Sequence, residues 1–345
     1  MTVALANDLA AALLDHYIKG PALYQTLQER PLMRFLNAGK KTFPAGYQYV
    51  VETIKGTTMF QTAPTTFAVG FTAGDQLTNF QQSENILQVK ERWREIHAGF
   101  VVSWTELKMD GITITDNNKK SEHPGAEVDR IVEIFEDRMG DYAESWAEAM
   151  NHICWMDGSQ DAKVFAGVTH FLVDDPTTGT AGSLDRATYE YWRNFASLNI
   201  AVSGASQTLC KAIDEAQLVL RKRGGKPNKF LCGSGWINAL KTELREKGYY
   251  TMTGWTGKQD IAVGDIALSG VGVFEYDPWL DDHGKSKYCY EFDSRRIKLR
   301  PMAGEENKVL NPERPYDYMA FVKSMTYTGV MTANQMNCHG VFSCA

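Results

Sequence analysis

No stretch of this chain approaches the roughly 18–20 consecutive apolar residues that a membrane span requires. The first residues lack a basic leader, and Asp8 and Asp15 interrupt their apolar run, so a secretory signal is not expected. Basic residues are not in excess: 36 Lys and Arg face 42 Asp and Glu, a formal net charge of −6, which gives no sign of a dedicated nucleic-acid binder and leaves room for an indirect relation to DNA, such as enclosing it. The six cysteines (154, 210, 232, 289, 338 and 344) form no CxxC pair, and no Cys/His group has zinc-site spacing. Reduced, packed thiols are expected, as in a cytoplasmic protein, with disulfides as the less favoured alternative. The seven histidines form no HExxH or comparable pair, and His152 reads as a satisfied structural residue.

Further chemistry is missing where fragments of motifs occur. Gly270-Val271-Gly272 lacks the third glycine of a dinucleotide site. Cys232-Gly233-Ser234-Gly235-Trp236 is not a nucleophile elbow, because its serine sits directly between two glycines; it reads as a strand-to-helix turn. Asp281-Asp282-His283 reads as an exposed turn, with a cation site as the alternative. No catalytic, cofactor-binding or metal-binding residue is assigned, and the chain is not expected to be an enzyme.

At 345 residues, 43% hydrophobic and 23% charged, the chain is long enough for about two domains. Leu5, Leu9, Leu13 and Tyr17 predict a short helix over 3–19, ended by Gly20-Pro21, and a second is expected over 22–30 before Pro31. Tyr47, Tyr49, Val51 and Thr53 alternate as a strand, with 98–105 as its expected returning partner. Between them, 56–83 carries one charge, Asp75, among Thr, Gln and the aromatics Phe60, Phe67, Phe71 and Phe80. That run is either a buried β element or a projecting hairpin covered by a neighbouring subunit, since a bare two-stranded hairpin is marginal and an uncovered apolar one aggregates. Charges crowd into 84–97, including Arg92 and Arg94. These four phenylalanines and two arginines are the candidate intersubunit contacts.

Residues 125–155 give the strongest helical period. Val128, Ile131, Val132, Phe135, Met139, Tyr142, Trp146, Met150 and Ile153 form one stripe opposite an acidic, solvated face. At 1.5 Å per residue such a helix runs about 45 Å. Further helices are expected over 206–223, capped by Ser206 and stopped by Gly224-Gly225, and over 234–247. The one basic run, Arg221-Lys222-Arg223-Gly224-Gly225-Lys226, suits a helix C-terminus; a contact to nucleic acid or an acidic neighbour is the alternative. Strand-like alternation fills 260–300, and a last strand is expected over 317–333.

Three phrases carry a resemblance. They are Ala181-Gly182-Ser183-Leu184-Asp185-Arg186-Ala187-Thr188-Tyr189-Glu190-Tyr191-Trp192-Arg193-Asn194-Phe195, the run from Phe292 to Arg300, and the closing stretch 316–342. In order and wording they resemble the major capsid proteins of tailed double-stranded-DNA bacteriophages. The resemblance implies an α+β fold of the lambdoid phage Hong Kong ninety-seven type. Its parts would be an N-terminal arm (1–45), an extended β-hairpin loop (46–105), a peripheral domain with a long spine helix (106–164), an axial domain (165–290) and return strands of the peripheral domain (291–345). It also implies a structural role: self-assembly into hexamers and pentamers of an icosahedral shell that encloses DNA without reading its sequence. The shell would be built in the bacterial host cytoplasm and end in the virion. A separate scaffolding protein, a portal and a decoration protein are the implied partners, with no membrane. The absence of lysine from 56–83 argues against a covalent loop cross-link. An encapsulin-like compartment and an unrelated α+β enzyme are the alternatives.

Overall fold

The computed structural model describes residues 27–56, 86–109, 125–246, 266–268, 271–310 and 319–345. In chain order its helices are α1 (Pro31–Gly39), α2 (Trp104–Met109), α3 (Gly125–Trp155), α4 (Val168–Phe171), α5 (Thr208–Lys222), α6 (Ser234–Glu246) and α7 (Pro278–Asp282). Its strands are β1 (Tyr49–Lys55), β2 (Ile86–Arg92), β3 (Arg94–Ser103), β4 (Thr180–Ala181), β5 (Leu184–Asp185), β6 (Phe195–Ile200), β7 (Lys229–Cys232), β8 (Ile266–Leu268), β9 (Gly272–Tyr276), β10 (Tyr288–Phe292), β11 (Ile297–Pro301), β12 (Lys308–Val309), β13 (Ala320–Ala333) and β14 (Gly340–Cys344). The chain divides into two compact units. One takes Arg30–Arg94, Asn151–Ala303 and Thr328–Ala345; the other takes Met1–Glu29, Glu95–Met150 and Gly304–Tyr327.

The larger unit is built on a six-stranded mixed sheet of order β6-β14-β10-β7-β9-β8. Strand alternation sends one set of side chains to each face. Phe230, Cys232, Phe274, Cys289, Phe342 and Cys344 meet Leu209, Ile213 and Ala216 of α5 and Trp236, Ile237 and Leu240 of α6. On the other face Tyr290 and Phe292 meet Trp155 at the end of α3, and Phe35 of α1 packs on Phe292. The turn from β7 into α6 needs glycine at 233, where a Cβ would lie 2.3 Å from the Ser286 carbonyl oxygen. The same turn is held by Asp281, whose carboxylate accepts from the Ser234 N–H (2.9 Å) and the Tyr276 hydroxyl (2.8 Å). Asp281, expected in an exposed turn, is therefore a structural acceptor within α7. His283 stacks on Trp279 with ring centroids 4.0 Å apart, and His152 accepts from the Trp279 indole N–H at 2.9 Å.

In the smaller unit α2 and the spine helix α3 enclose a core of Val102, Leu107 and Ile134, with Phe100 and Phe321 against it. Glu106 and Arg138 pair across the two helices, and Trp146 donates its indole N–H to Asn307 at 3.1 Å. β3 pairs with β13, which pairs with β12 through Lys308↔Thr326 and Val309↔Met325. Beyond Tyr327 the same strand continues in the larger unit and pairs with β11, from Ile297↔Ala333 to Pro301↔Gly329.

The spine helix spans 125–155, as its hydrophobic period requires. Three expectations need correction. First, α1 begins at Pro31 rather than a helix ending there. Proline lacks only an N–H that the first helical turn cannot use, and the helix then buries Leu32, Phe35 and Leu36 on one face. Residues 22–26 and the expected helix 3–19 lie outside the described residues, as do Ile261 and Val263. Second, β1 is partnered by β2, not by 98–105; that stretch belongs mostly to β3, which pairs with β13. Two alternating strands were available, and the nearer closes the tighter ribbon. Third, Ser206 does not cap α5. The cap position is Gln207, in a left-handed conformation at φ +50° with no side-chain cap, and a buried carboxylate from α6 takes over that role. Within 291–345, β11 and β13 pair together, and β14 enters the six-stranded sheet between β6 and β10.

Two buried titrating groups make this sheet sensitive to pH. Burial raises the Glu291 carboxyl to about 8, only partly offset by the Gln217 amide that donates to it; its other oxygen has no hydrogen-bond partner. Burial lowers His339 to about 4; its Nδ1 accepts from the Asp293 N–H, which leaves the proton on Nε2. A raised folded pKa means that Glu291 keeps a proton the unfolded chain loses, so stability falls as pH rises from about 4.5 to 8. The lowered His339 acts oppositely, between about 4 and 6.5. Above pH 6.5 the Glu291 slope dominates, joined only up to about pH 7 by that of the buried Glu91 carboxyl, which is common to parent and variant. Glu291→Gln should flatten it, leaving the variant about 1–2 kcal/mol more stable than the parent at pH 8.5, relative to their difference at pH 6.5. Urea unfolding at the two pH values measures this, and parallel curves for the two proteins would refute it.

Candidate assembly surface

The candidate contacts gather on the β1–β2 ribbon and the segment leading from it. Its register runs from Tyr49↔Arg92 to Lys55↔Ile86, so the far end of the ribbon is where the chain enters and leaves the 57–85 stretch. Alternation gives the ribbon two faces. Val50, Ile54 and Val89 are buried, and between them Glu52 pairs with Arg300, whose guanidinium also meets the Thr332 hydroxyl. The opposite face presents Tyr49, Ile86 and Arg92 to solvent, with Ile86 58% exposed. Such exposed apolar groups on a two-stranded ribbon are what a contact surface shows.

Of the six candidates, Phe60, Phe67, Phe71 and Phe80 lie outside the described residues. Arg92 is exposed on the open face. Arg94 is half-buried, and its charge acts on Glu91, so it serves the ribbon's own base. Burial raises Glu91 to about 7, against the pull of the Gly182 N–H and Arg94. At the ribbon's foot Phe43, Tyr47 and Trp93 pack together, and the Trp93 indole donates to the Tyr47 carbonyl at 2.8 Å.

The 181–195 phrase acquires a physical role here that sequence reasoning missed. Gly182 and Ser183, at φ +59° and +67°, make the two-residue turn between β4 and β5, a conformation hairpins favour. That turn presses on β2: Lys90 donates its N–H to the Gly182 carbonyl at 3.1 Å. A Cβ at Gly182 would sit 2.1 Å from the Val89 Cγ1, and one at Gly56 would lie 2.4 Å from the Tyr191 ring. Behind the turn, buried Trp192 donates to the Ala181 carbonyl at 2.9 Å, and Arg186 donates to the His170 and Phe171 carbonyls. The phrase is a clamp that fixes the direction in which the ribbon leaves the larger unit. The signal available in sequence was the Gly-Ser turn; its target on β2 was not legible.

Gly182→Val should therefore lose both the left-handed turn and the fit against Val89, a cost of about 2–4 kcal/mol. Because the six-stranded sheet does not rest on this turn, limited proteolysis should cut near 56–86 sooner while the sheet's amide protection persists. Unchanged cleavage at the ribbon would rule out the clamp.

Among the described residues no group of three or more His, Cys, Asp or Glu could hold a metal ion. The basic run 221–226 closes α5: Arg221 and Lys222 lie in its last turn and the Gly225 N–H returns to the Leu220 carbonyl at 2.9 Å.

No family model matches the chain, and no curated protein matches it. Solved structures do. The cyanophage A-1(L) capsid subunit superposes with a TM-score of 0.61 at 12% identity, covering 93% of this chain and 94% of that one. The chain has the phage-capsid fold. The capsid of the Myoviridae phage XM1 agrees at TM-score 0.56 and 9% identity over 94% and 95% of the two chains. A native GTA particle capsid agrees at 0.51 and 12% over 97% and 98%. With identities this low, the phage-capsid likeness resides in backbone course, not in shared side chains. It extends over nearly the whole chain, including both compact units and the α+β architecture that the resemblance implied.

Proposed function

We propose that this chain is a major capsid protein: copies of it assemble into hexamers and pentamers of the icosahedral shell around a tailed phage's double-stranded DNA. The observation that carries the reading is the capsid fold matched over more than nine-tenths of both chains. The exposed ribbon face supports it, because it offers Tyr49, Ile86 and Arg92 to a second copy at the point where the 57–85 run, with Asp75 and Glu84 as its two charges, departs. Phe60, Phe67, Phe71 and Phe80 are proposed to dock on that neighbour. The net charge of −6 suits enclosure of DNA without sequence-specific binding.

In this reading 1–45 is the arm, 46–105 the extended loop, 106–164 the peripheral domain with its spine, 165–290 the axial domain and 291–345 the return strands of the peripheral domain. The role is structural rather than catalytic. Scaffolding, portal and decoration proteins are the proposed partners, with assembly in the host cytoplasm and a final place in the virion.

Negative-stain microscopy of the chain expressed with its neighbouring genes tests the reading. Closed icosahedral particles containing DNA are expected, and denaturing gels of them should show only the 38.7 kDa band. DNA-free particles carrying a protein cargo would favour an encapsulin-like compartment, and a monomer that never assembles would overturn the shell altogether. A ladder of reductant-resistant oligomers would overturn the absence of a loop cross-link.

A further inference from the structure

Cys232 and Cys289 lie directly opposite each other on β7 and β10, the two central strands of the six-stranded sheet. The next ladder bond runs from the Gly233 N–H to the Tyr288 carbonyl at 3.0 Å. The pair at 232 and 289 is therefore a non-hydrogen-bonded pair of an antiparallel ladder. In such pairs the Cα atoms come to about 4.5 Å and both side chains leave the same face. Disulfides form across Cα separations of roughly 4.4–6.8 Å, so this position needs little backbone movement to close one. Both thiols are free, and both belong to the same core cluster under α5 and α6. No other cysteine has this relation: the Cys344 and Cys338 thiols turn to the Lys287 and Gln335 carbonyls, and Cys289's neighbour on its other side is Phe342.

We propose that Cys232 and Cys289 are a redox-responsive dithiol that closes to an intrachain disulfide when the protein meets a small-molecule disulfide in an oxidising medium. One cysteine thiolate attacks a sulfur of the oxidant, which forms a mixed disulfide and releases one low-molecular-weight thiolate. The second cysteine thiolate then attacks the protein sulfur of that mixed disulfide and releases the second. Two cysteines are oxidised, one external disulfide is reduced to two thiols, and the two cysteine protons end on them. Burial places both sulfurs out of reach in the closed sheet and raises the Cys289 thiol, so the exchange proceeds through opening of the β7–β10 pair and is slow. Once formed, the bond ties the two central strands and restricts the unfolded chain across the long loop between them. It joins no two subunits, and it is independent of the capsid reading.

The test uses the full chain, brought to constant free-thiol content in oxidised glutathione, then alkylated and mapped by mass spectrometry. The expected product is a peptide pair joined through Cys232 and Cys289, lighter by two hydrogen atoms, with a raised thermal midpoint that dithiothreitol reverses. Low urea should accelerate its formation. Cys289→Ala should abolish this product, and Cys338→Ala should retain it; should Cys289→Ala fail to fold, the parent's peptide map decides alone. Finding Cys232 and Cys289 both still free at constancy, or joined to other cysteines, overturns the proposal.

Discussion

Glu243→Ala should remove about 3–5 kcal/mol of stability from the larger unit, more than the loss expected of Gly182→Val. Glu243 projects from α6, is fully buried, and faces the N-terminus of α5. Its carboxylate accepts from the Leu209 N–H at 3.0 Å, the Cys210 N–H at 3.3 Å, the Ser203 N–H at 3.2 Å and the Thr208 hydroxyl at 2.9 Å. These include first-turn donors of α5 that no local cap satisfies, and the positive end of the helix macrodipole favours the negative charge. Alanine leaves several buried donors without acceptors and opens a void between the two helices that cover the sheet. Glu243→Gln keeps the shape but turns an amide toward groups that are themselves donors, so it should recover only part of the loss. Urea unfolding followed by far-ultraviolet circular dichroism measures both. A loss below about 1 kcal/mol for alanine would mean that water satisfies the helix end as well as the carboxylate does.

The double substitution Phe67→Asp with Phe71→Asp should abolish particle formation while leaving the isolated subunit's circular dichroism nearly unchanged. Burying one phenylalanine is worth roughly 1.5–3 kcal/mol, and a charge placed in its contact reverses that gain at each of many repeated interfaces. Both residues lie outside the described residues, and the expectation of an intact subunit follows from their proposed place in a contact between copies. Particle yield by sedimentation and thermal unfolding of the soluble subunit give the two readings. An unfolded subunit would place the run inside its own chain, and normal particles would remove it from the contact. In both cases the capsid fold would stand, because it rests on the superposition and not on this segment.

Periodic signals are legible wherever one element can satisfy them alone. The nine-residue stripe from Val128 to Ile153 repeats over several turns, and only a helix puts it on one face. The Cys232–Trp236 phrase is legible as a strand-to-helix turn because adjacent glycines serve little else. Pairing is less legible. Strands 86–92 and 94–103 both alternate, and which of them returns to β1 depends on what each buries against distant chain, β13 in the second case. Ser206 is a sound local cap that loses to Glu243, 37 residues away in sequence but within 3.0 Å of the Leu209 N–H.

The amino-acid sequence by itself determined the spine and the helices α5 and α6, since these follow from period and spacing along one chain, while the α+β class came with the family resemblance that its phrases carry. Only the tertiary structure decided that 181–195 clamps the ribbon, that β14 enters the central sheet, that Arg92 stands open while Arg94 serves Glu91, and that two cysteines far apart in the chain face each other across neighbouring strands. Each of these depends on which surfaces meet after the chain has doubled back. That choice is set by the fit and burial of whole faces, a property that no local window of residues contains.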